Sequence, residues 1–217
     1  MEKTYFISFE GIDGCGKDTQ LHNLIDFIRE DDNYPFGDKY SNIWVTREPS
    51  KITPSGLKIS NLIREKNISG KQASELFIKD RIEHSKIIKQ ILKHSHVLIS
   101  RYDLSTLSYQ MSQGEDFDKL YKMHKFGQEN GCIIPDITII FKLSAKIAQT
   151  RTNSRKSKIE CFENLELQTK IEQNLDYCIK EIKKRDNRKI IIINAEQTIK
   201  QITQEMVQKI HQTINQK

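Results

Sequence analysis

Three observations predict an α/β fold with a parallel five-stranded sheet and helices on both faces, in one domain over residues 1–217. Short apolar runs alternate with longer segments whose apolar residues recur at helical spacing. A chain of 217 residues is long enough for one domain with a central core. The residues with phosphate chemistry stand just after the apolar runs: a Gly-rich turn after the first, Arg47 after the second and Arg101 after the third. In such sheets ligands bind at the carboxyl ends of the strands.

In chain order, the first strand covers about 4–9 and a helix about 17–31, with Leu21, Leu24, Ile25 and Ile28 on its buried side. A polar loop over 31–41 leads to a strand at 43–46, which Pro49 stops. Helices are expected at 55–64, with Pro54 near its start, and at 71–94, with Leu76, Ile87, Ile91 and Leu92 facing inward. The third strand is 96–100, and helices follow at 104–112 and 116–129. Pro135-Asp136 opens a strand over 137–143, and a helix over 144–152 runs into a basic, Ser-rich stretch from Arg151 to Lys158. A long helix at 161–184, a strand at 189–193 and a helix at about 198–215 complete the pattern, with no internal repeat or low-complexity linker.

Composition narrows the functional classes. Charged residues make up 29% and hydrophobic residues 36%, as in a water-soluble globular chain. No apolar run approaches the roughly 18–20 residues of a membrane span, so no membrane partner is expected. The start lacks a basic-then-apolar signal, and the expected location is the cytoplasm. Four cysteines without metal-like spacing are expected reduced, Cys15 serving as a small turn residue. The net charge of +6 suits an enzyme that holds two phosphorylated ligands. No basic run is interleaved with aromatics, so nucleic acid is not an expected partner.

The Gly-rich turn reads Gly11-Ile12-Asp13-Gly14-Cys15-Gly16-Lys17-Asp18-Thr19. Gly11, Gly16 and Lys17 fit the phosphate-binding loop G-x-x-x-x-G-K. Its backbone N–H groups and the N-terminus of the following helix would cradle the phosphates, and Lys17 would reach the β- and γ-phosphates. The position after the lysine departs from the pattern. A Ser or Thr hydroxyl should stand there to ligate Mg²⁺, but the residue is Asp18 and Thr19 comes one later.

The motifs together resemble the thymidylate kinase family, in family order over roughly residues 5–165. They are the loop Phe9-Glu10-Gly11-Ile12-Asp13-Gly14-Cys15-Gly16-Lys17, the turn Thr46-Arg47-Glu48-Pro49, Phe77 and Arg81 four apart, and Pro135-Asp136. The segment from Ser100-Arg101-Tyr102 to Tyr109-Gln110 is similar to the family's Asp-Arg-Tyr/His to Ala-Tyr-Gln segment. A phosphate-binding loop alone is common; five matches in one order are far more specific. The resemblance implies a three-layer P-loop kinase fold and transfer of phosphoryl from ATP to dTMP with Mg²⁺, giving ADP and dTDP for dTTP synthesis. It also implies a homodimer through helices flanking the sheet.

Within that resemblance, Arg47 faces the loop across the cleft and can grip the acceptor phosphate bidentately; the bland alternative is a surface ion pair with Glu48. Phe77 and Arg81 share one helix face, where a ring stacks on a pyrimidine and a cation donates to its carbonyl; alone they would read as a core Phe and a solvated Arg. Asp13 stands where the family contacts the sugar 3′-hydroxyl, or makes a loop-stabilising turn. Ser105, Tyr109 and Gln110 resemble residues lining the base and sugar pocket, with Tyr109 packed against the deoxyribose or simply in the core. Arg101 should point at the phosphates. The stretch of about 151–160 resembles the family's lid. Because Gly14 stands where some members carry a catalytic Arg in the loop, Arg155 or Arg151 is the implied lid arginine, ahead of Lys156 and Lys158. The Arg of the family's post-lid Asp-Arg-Phe-Glu is missing from Glu160-Cys161-Phe162-Glu163.

Two departures concern the metal. The loop hydroxyl is replaced by Asp18, and the family Asp after strand three is Ser100. A compensating exchange keeps one carboxylate and one hydroxyl at the Mg²⁺ site, making Asp18 and Ser100 the metal candidates; drift of both positions with weak or lost activity is the alternative. Ser50-Lys51-Ile52-Thr53 replaces the family's Gly-Gly-Thr, with Lys51 a further phosphate candidate, and Lys142 ends its strand without a sequence rationale. The rival functions are a related monophosphate kinase with other or broader acceptors, a catalytically weak nucleotide-binding paralogue, and a P-loop protein acting on nucleic acid.

Overall fold

The structure, a computed structural model, describes residues 3–30, 42–154 and 164–215. In chain order it contains β1 (Phe6–Glu10), α1 (Lys17–Glu30), β2 (Ile43–Arg47), α2 (Pro54–Arg64), α3 (Gly70–Ile91), β3 (His96–Ser100), α4 (Asp103–Ser112) and α5 (Phe117–Glu129). β4 (Ile137–Lys142), α6 (Ala145–Ser154), α7 (Leu165–Arg185), β5 (Lys189–Asn194) and α8 (Ile199–Asn215) follow. The five strands lie in the order β2-β3-β1-β4-β5, every neighbouring pair parallel. The chain leaves β1 toward β2 and β3 on one side and later fills β4 and β5 on the other. A crevice therefore opens above the carboxyl end of β1, where this topology places ligands.

Side-chain alternation along each strand builds two cores. Ile7, Phe9, Leu98, Ile139, Phe141, Ile191 and Ile193 face α1 and α8 and pack on Leu21, Leu24, Ile28, Ile202, Met206 and Ile210. The alternate positions face the other way. Phe6, Val97 and Ile99 meet Ile88 of α3, while Ile140, Ile190 and Ile192 meet α4, α5 and α7. With both faces covered, the strands read as continuous apolar runs. Ser8 and Glu10 are the exceptions within β1; the Ser8 hydroxyl is satisfied by Thr138 across the sheet at 3.0 Å.

The α/β class, the five strands and their parallel pairing are as expected. The differences are at element ends. The expected helix over 71–94 stops at Ile91, because Leu92 caps it and the chain turns through Lys93 and His94 before β3. Its start is set by Ser69, which forms a capping box with Gln72. The helix expected from 116 begins one residue later, since the Asp116 side chain caps it by accepting from the Lys119 N–H. The start of the helix expected at 161, residues 161–163, lies outside the described residues; α7 begins at Leu165 behind an Asn164 cap. Lys142, without a rationale in the sequence, pairs with Asp176 of α7 at 2.7 Å.

Candidate active site

The carboxyl ends of β1, β2 and β3 bring the expected residues to one crevice. β1 ends at Glu10, the loop runs from Gly11 to Gly16, and Lys17 is the first residue of α1. Gly14 has φ of +80°, and a Cβ there would stand 2.7 Å from the Ala148 carbonyl oxygen and 2.8 Å from Thr152 Oγ1 of α6. The loop is thus clamped under α6 at a point where no side chain fits. Ile12 and Cys15 turn inward and are buried in the core, so only their backbone faces the crevice. The turn-residue reading of Cys15 agrees with this. Thr19 is exposed.

Asp13 is the hub of the loop. It forms an ion pair with Arg101, accepts a hydrogen bond from the Tyr109 hydroxyl at 2.9 Å, and accepts one from Gln168 Nε2 of α7 at 3.2 Å. Burial raises its pKa, but Arg101, Lys17 and these hydrogen bonds outweigh that and hold the carboxyl below the usual range. The Arg101 guanidinium also lies 3.4 Å from the Gly11 carbonyl oxygen and from Ser105 Oγ, and stacks over the Tyr109 ring at 4.9 Å. Asp13, Arg101 and Tyr109, expected to meet around the sugar and phosphates, do meet. The backbone of Arg101 is left-handed, with φ of +64°.

Asp18 and Ser100 are hydrogen-bonded to each other, the Ser100 hydroxyl donating to the Asp18 carboxylate across 82 residues of sequence. Burial pushes the Asp18 pKa up, and Lys17, the Ser100 hydrogen bond, Arg101 and Arg47 more than reverse it, so the group stays ionised. A carboxylate and a hydroxyl beside Lys17 form a set of hard oxygen donors, which fits Mg²⁺ in the company of phosphate oxygens. Among the described residues no group of three or more His, Cys, Asp or Glu side chains could hold a metal by itself. Arg47 ends β2, is exposed, and makes no ion pair among the described residues, although its charge acts on Asp18.

Around the expected base pocket two of the alternative readings do not hold. Glu48 is buried and does not pair with Arg47. Its carboxylate accepts from Arg81 Nε at 2.9 Å and Nη2 at 2.6 Å, with His84 Nδ1 at 3.5 Å on its other oxygen. Arg81 is therefore not a solvated cation: it is 2% exposed, lies over the Tyr102 ring and donates to Thr106 Oγ1 at 2.9 Å. Phe77, one helical turn away on α3, is half-buried. Two further observations concern α4. Gln110 is 1% exposed, with its carbonyl oxygen lacking a hydrogen-bond partner among the described residues. The Ser105 hydroxyl donates to buried Glu10.

Of the lid candidates, Arg151 sits half-buried on the last turns of α6. Arg155, Lys156, Lys158 and the 160–163 segment lie outside the described residues. Lys51 is exposed. Sequence reasoning missed Glu10, Thr106 and Gln168. A carboxylate closing a buried run just before Gly11 was a readable signal for Glu10. Gln168 gave none, because its partner is 155 residues away.

The chain matches the family model described as thymidylate kinase over residues 9–206. It is 35% identical over 172 residues to a protein of Methanococcus maripaludis named probable thymidylate kinase, covering 77% of this chain and 74% of that one. A protein of the same name from Methanococcus aeolicus is 32% identical over 206 residues, 94% of this chain and 95% of its own. One from Thermococcus kodakarensis is 36% identical over 180 residues, covering 78% and 81%.

Proposed function

The chain belongs to the thymidylate kinase family, and from that premise we propose its reaction as transfer of the terminal phosphoryl group of ATP to dTMP, giving ADP and dTDP. It is a dTMP kinase, a nucleoside-monophosphate phosphotransferase. The observation that carries the residue assignment is the convergence of Asp13, Arg101 and Tyr109 beside Lys17 at the mouth of β1.

The loop backbone and Lys17 hold the donor phosphates. Arg101 stands between the loop and α4, where it can neutralise charge on the phosphoryl group in flight. Arg47, exposed and without an ion pair among the described residues, takes the acceptor phosphate. The Asp13 carboxylate accepts the sugar 3′-hydroxyl, and the Tyr109 ring packs against the deoxyribose. Phe77 stacks on the base. Arg81, pinned by Glu48 and Thr106 and with Nη1 3.5 Å from His124 Nδ1, would donate from Nη1 to a base carbonyl. The acceptor monoester has a second pKa near ~6, so it is largely a dianion at neutral pH and needs no strong general base.

Asp18 and Ser100 would hold Mg²⁺, which when bound would offset the negative charge of the phosphates. The family resemblance makes Arg151 or Arg155 the lid arginine for the donor phosphates. The protein works as a homodimer, a reading that rests on the family resemblance, and its place is the cytoplasm. A coupled assay for ADP release tests the reaction. Turnover should require ATP, dTMP and a divalent cation together. Release of ADP at the same rate without dTMP would contradict it.

A further inference from the structure

Arg101 is the one non-glycine residue besides Lys66 with a left-handed backbone among the described residues. For an L-residue this conformation costs about 1–2 kcal/mol, so something must hold it. Two hydrogen bonds do. The Arg101 N–H donates to the Phe9 carbonyl at 2.9 Å, the last rung between β1 and β3. One residue on, the ladder has no rung left, and the Tyr102 N–H donates at 2.9 Å to Glu10 Oε1 instead. The second Glu10 oxygen accepts the Ser105 hydroxyl from the first turn of α4. Tyr102 is the N-cap residue of α4 and has no side-chain cap bond of its own.

One fully buried carboxylate therefore ties down the chain just after Arg101, at Tyr102 and Ser105. We propose that Glu10 is a positioning residue for phosphoryl transfer: its two oxygens fix the backbone bend at Arg101 and so aim the guanidinium across the loop. Glu10 itself touches neither substrate; it acts through Arg101. This inference rests on the reading of Arg101 as a phosphate-contacting residue, and the experiment keeps the two apart.

The role is one of reach and hydrogen bonding, not of charge. Glu10→Gln keeps a carbonyl oxygen for the Tyr102 N–H, and its amide can donate to Ser105 Oγ, whose own hydrogen rotates away. Glu10→Asp keeps the charge but is shorter by about 1.5 Å, one C–C bond, and cannot span both partners. Steady-state kcat and KM for ATP and dTMP are measured on Glu10→Gln, Glu10→Asp, Arg101→Ala and Glu10→Asp/Arg101→Ala. Glu10→Gln should keep kcat within about threefold, while Glu10→Asp loses at least about tenfold in kcat with both KM values within about threefold. In the Arg101→Ala background the Asp substitution should cost less than about twofold more, because the effect travels through Arg101.

Equal kcat in the Gln and Asp variants, or Gln worse than Asp, overturns the proposal. So does a full tenfold cost of Glu10→Asp when Arg101 is already gone, the mark of a merely structural role. An Arg101→Ala enzyme with undiminished kcat overturns the phosphate reading of Arg101 itself, and this inference with it.

Discussion

Asp18 and Ser100 come from the first turn of α1 and the end of β3, and they reach each other through a single hydrogen bond. Each residue alone departs from its motif; together they place one carboxylate and one hydroxyl side by side, with the two positions exchanged. Asp18→Ala and Ser100→Ala are each expected to lower the Mg²⁺-dependent rate at least tenfold, by roughly the loss of one metal contact. ATP affinity should fall steeply without Mg²⁺ in the unsubstituted protein, because Asp18 then faces phosphate charge, and less steeply in Asp18→Ala. Calorimetric titration with and without metal reads this directly. Glu10 gives a second residue-scale prediction. Burial, with Asp103 nearby, pushes its pKa from 4.5 up to about 7. The raised value means that the folded state keeps the proton longer than the unfolded chain. Its contribution to stability is fully present below pH 4.5 and is lost as pH rises through about 7, amounting to ~3 kcal/mol. Urea unfolding at pH 5 and pH 8 should show this loss, and Glu10→Gln should remove it. The exchange at Asp18 and Ser100 was legible in the sequence because both positions belong to motifs of fixed spacing. The Glu48–Arg81 pair was not, because nothing in Arg-Glu-Pro says which neighbour the carboxylate turns toward.

At the scale of elements, the phosphate-binding loop depends on α6. The Ala148 carbonyl and Thr152 hydroxyl press on Gly14 closely enough to exclude a Cβ, and φ at Gly14 is +80°. A loop arginine at this position would require α6 to move. Gly14→Ala should therefore displace α6 from the loop and weaken ATP binding by about tenfold, from strain of order 1–3 kcal/mol; an ATP titration measures it. Strand and helix order could be read from the sequence because apolar runs and helical periodicity differ plainly here. The helix ends could not be read as closely. They are decided by caps such as Ser69 with Gln72 and Asp116, whose local hydrogen bonds compete with one more turn of helix.

For the molecule as a whole, strand order explains why distant motifs meet. β1 lies between β3 and β4, so the loop after β1 and the turn after β3 become neighbours, with β2 bringing Arg47 to the same rim. The alternation of apolar runs and helices announced the parallel sheet, and the motifs after the strands announced the crevice. What stayed hidden are contacts between remote segments: Gln168 with Asp13, Arg81 with Thr106, and the Arg188–Asp103 ion pair at 2.6 Å joining the β5 end of the sheet to α4. Such pairs depend on how helices settle on the sheet, which no local pattern encodes. The central claim, a kinase selective for dTMP, is tested most directly by an acceptor panel. With ATP and Mg²⁺ held constant, kcat/KM is measured for dTMP, dUMP, dCMP, dAMP and dGMP. dTMP should exceed the purine and cytosine acceptors by at least about a hundredfold, the scale set when a site's buried polar groups are left unpaired by the wrong base. ATP binding without phosphoryl transfer to any of the five, or a preference for another base, would contradict it.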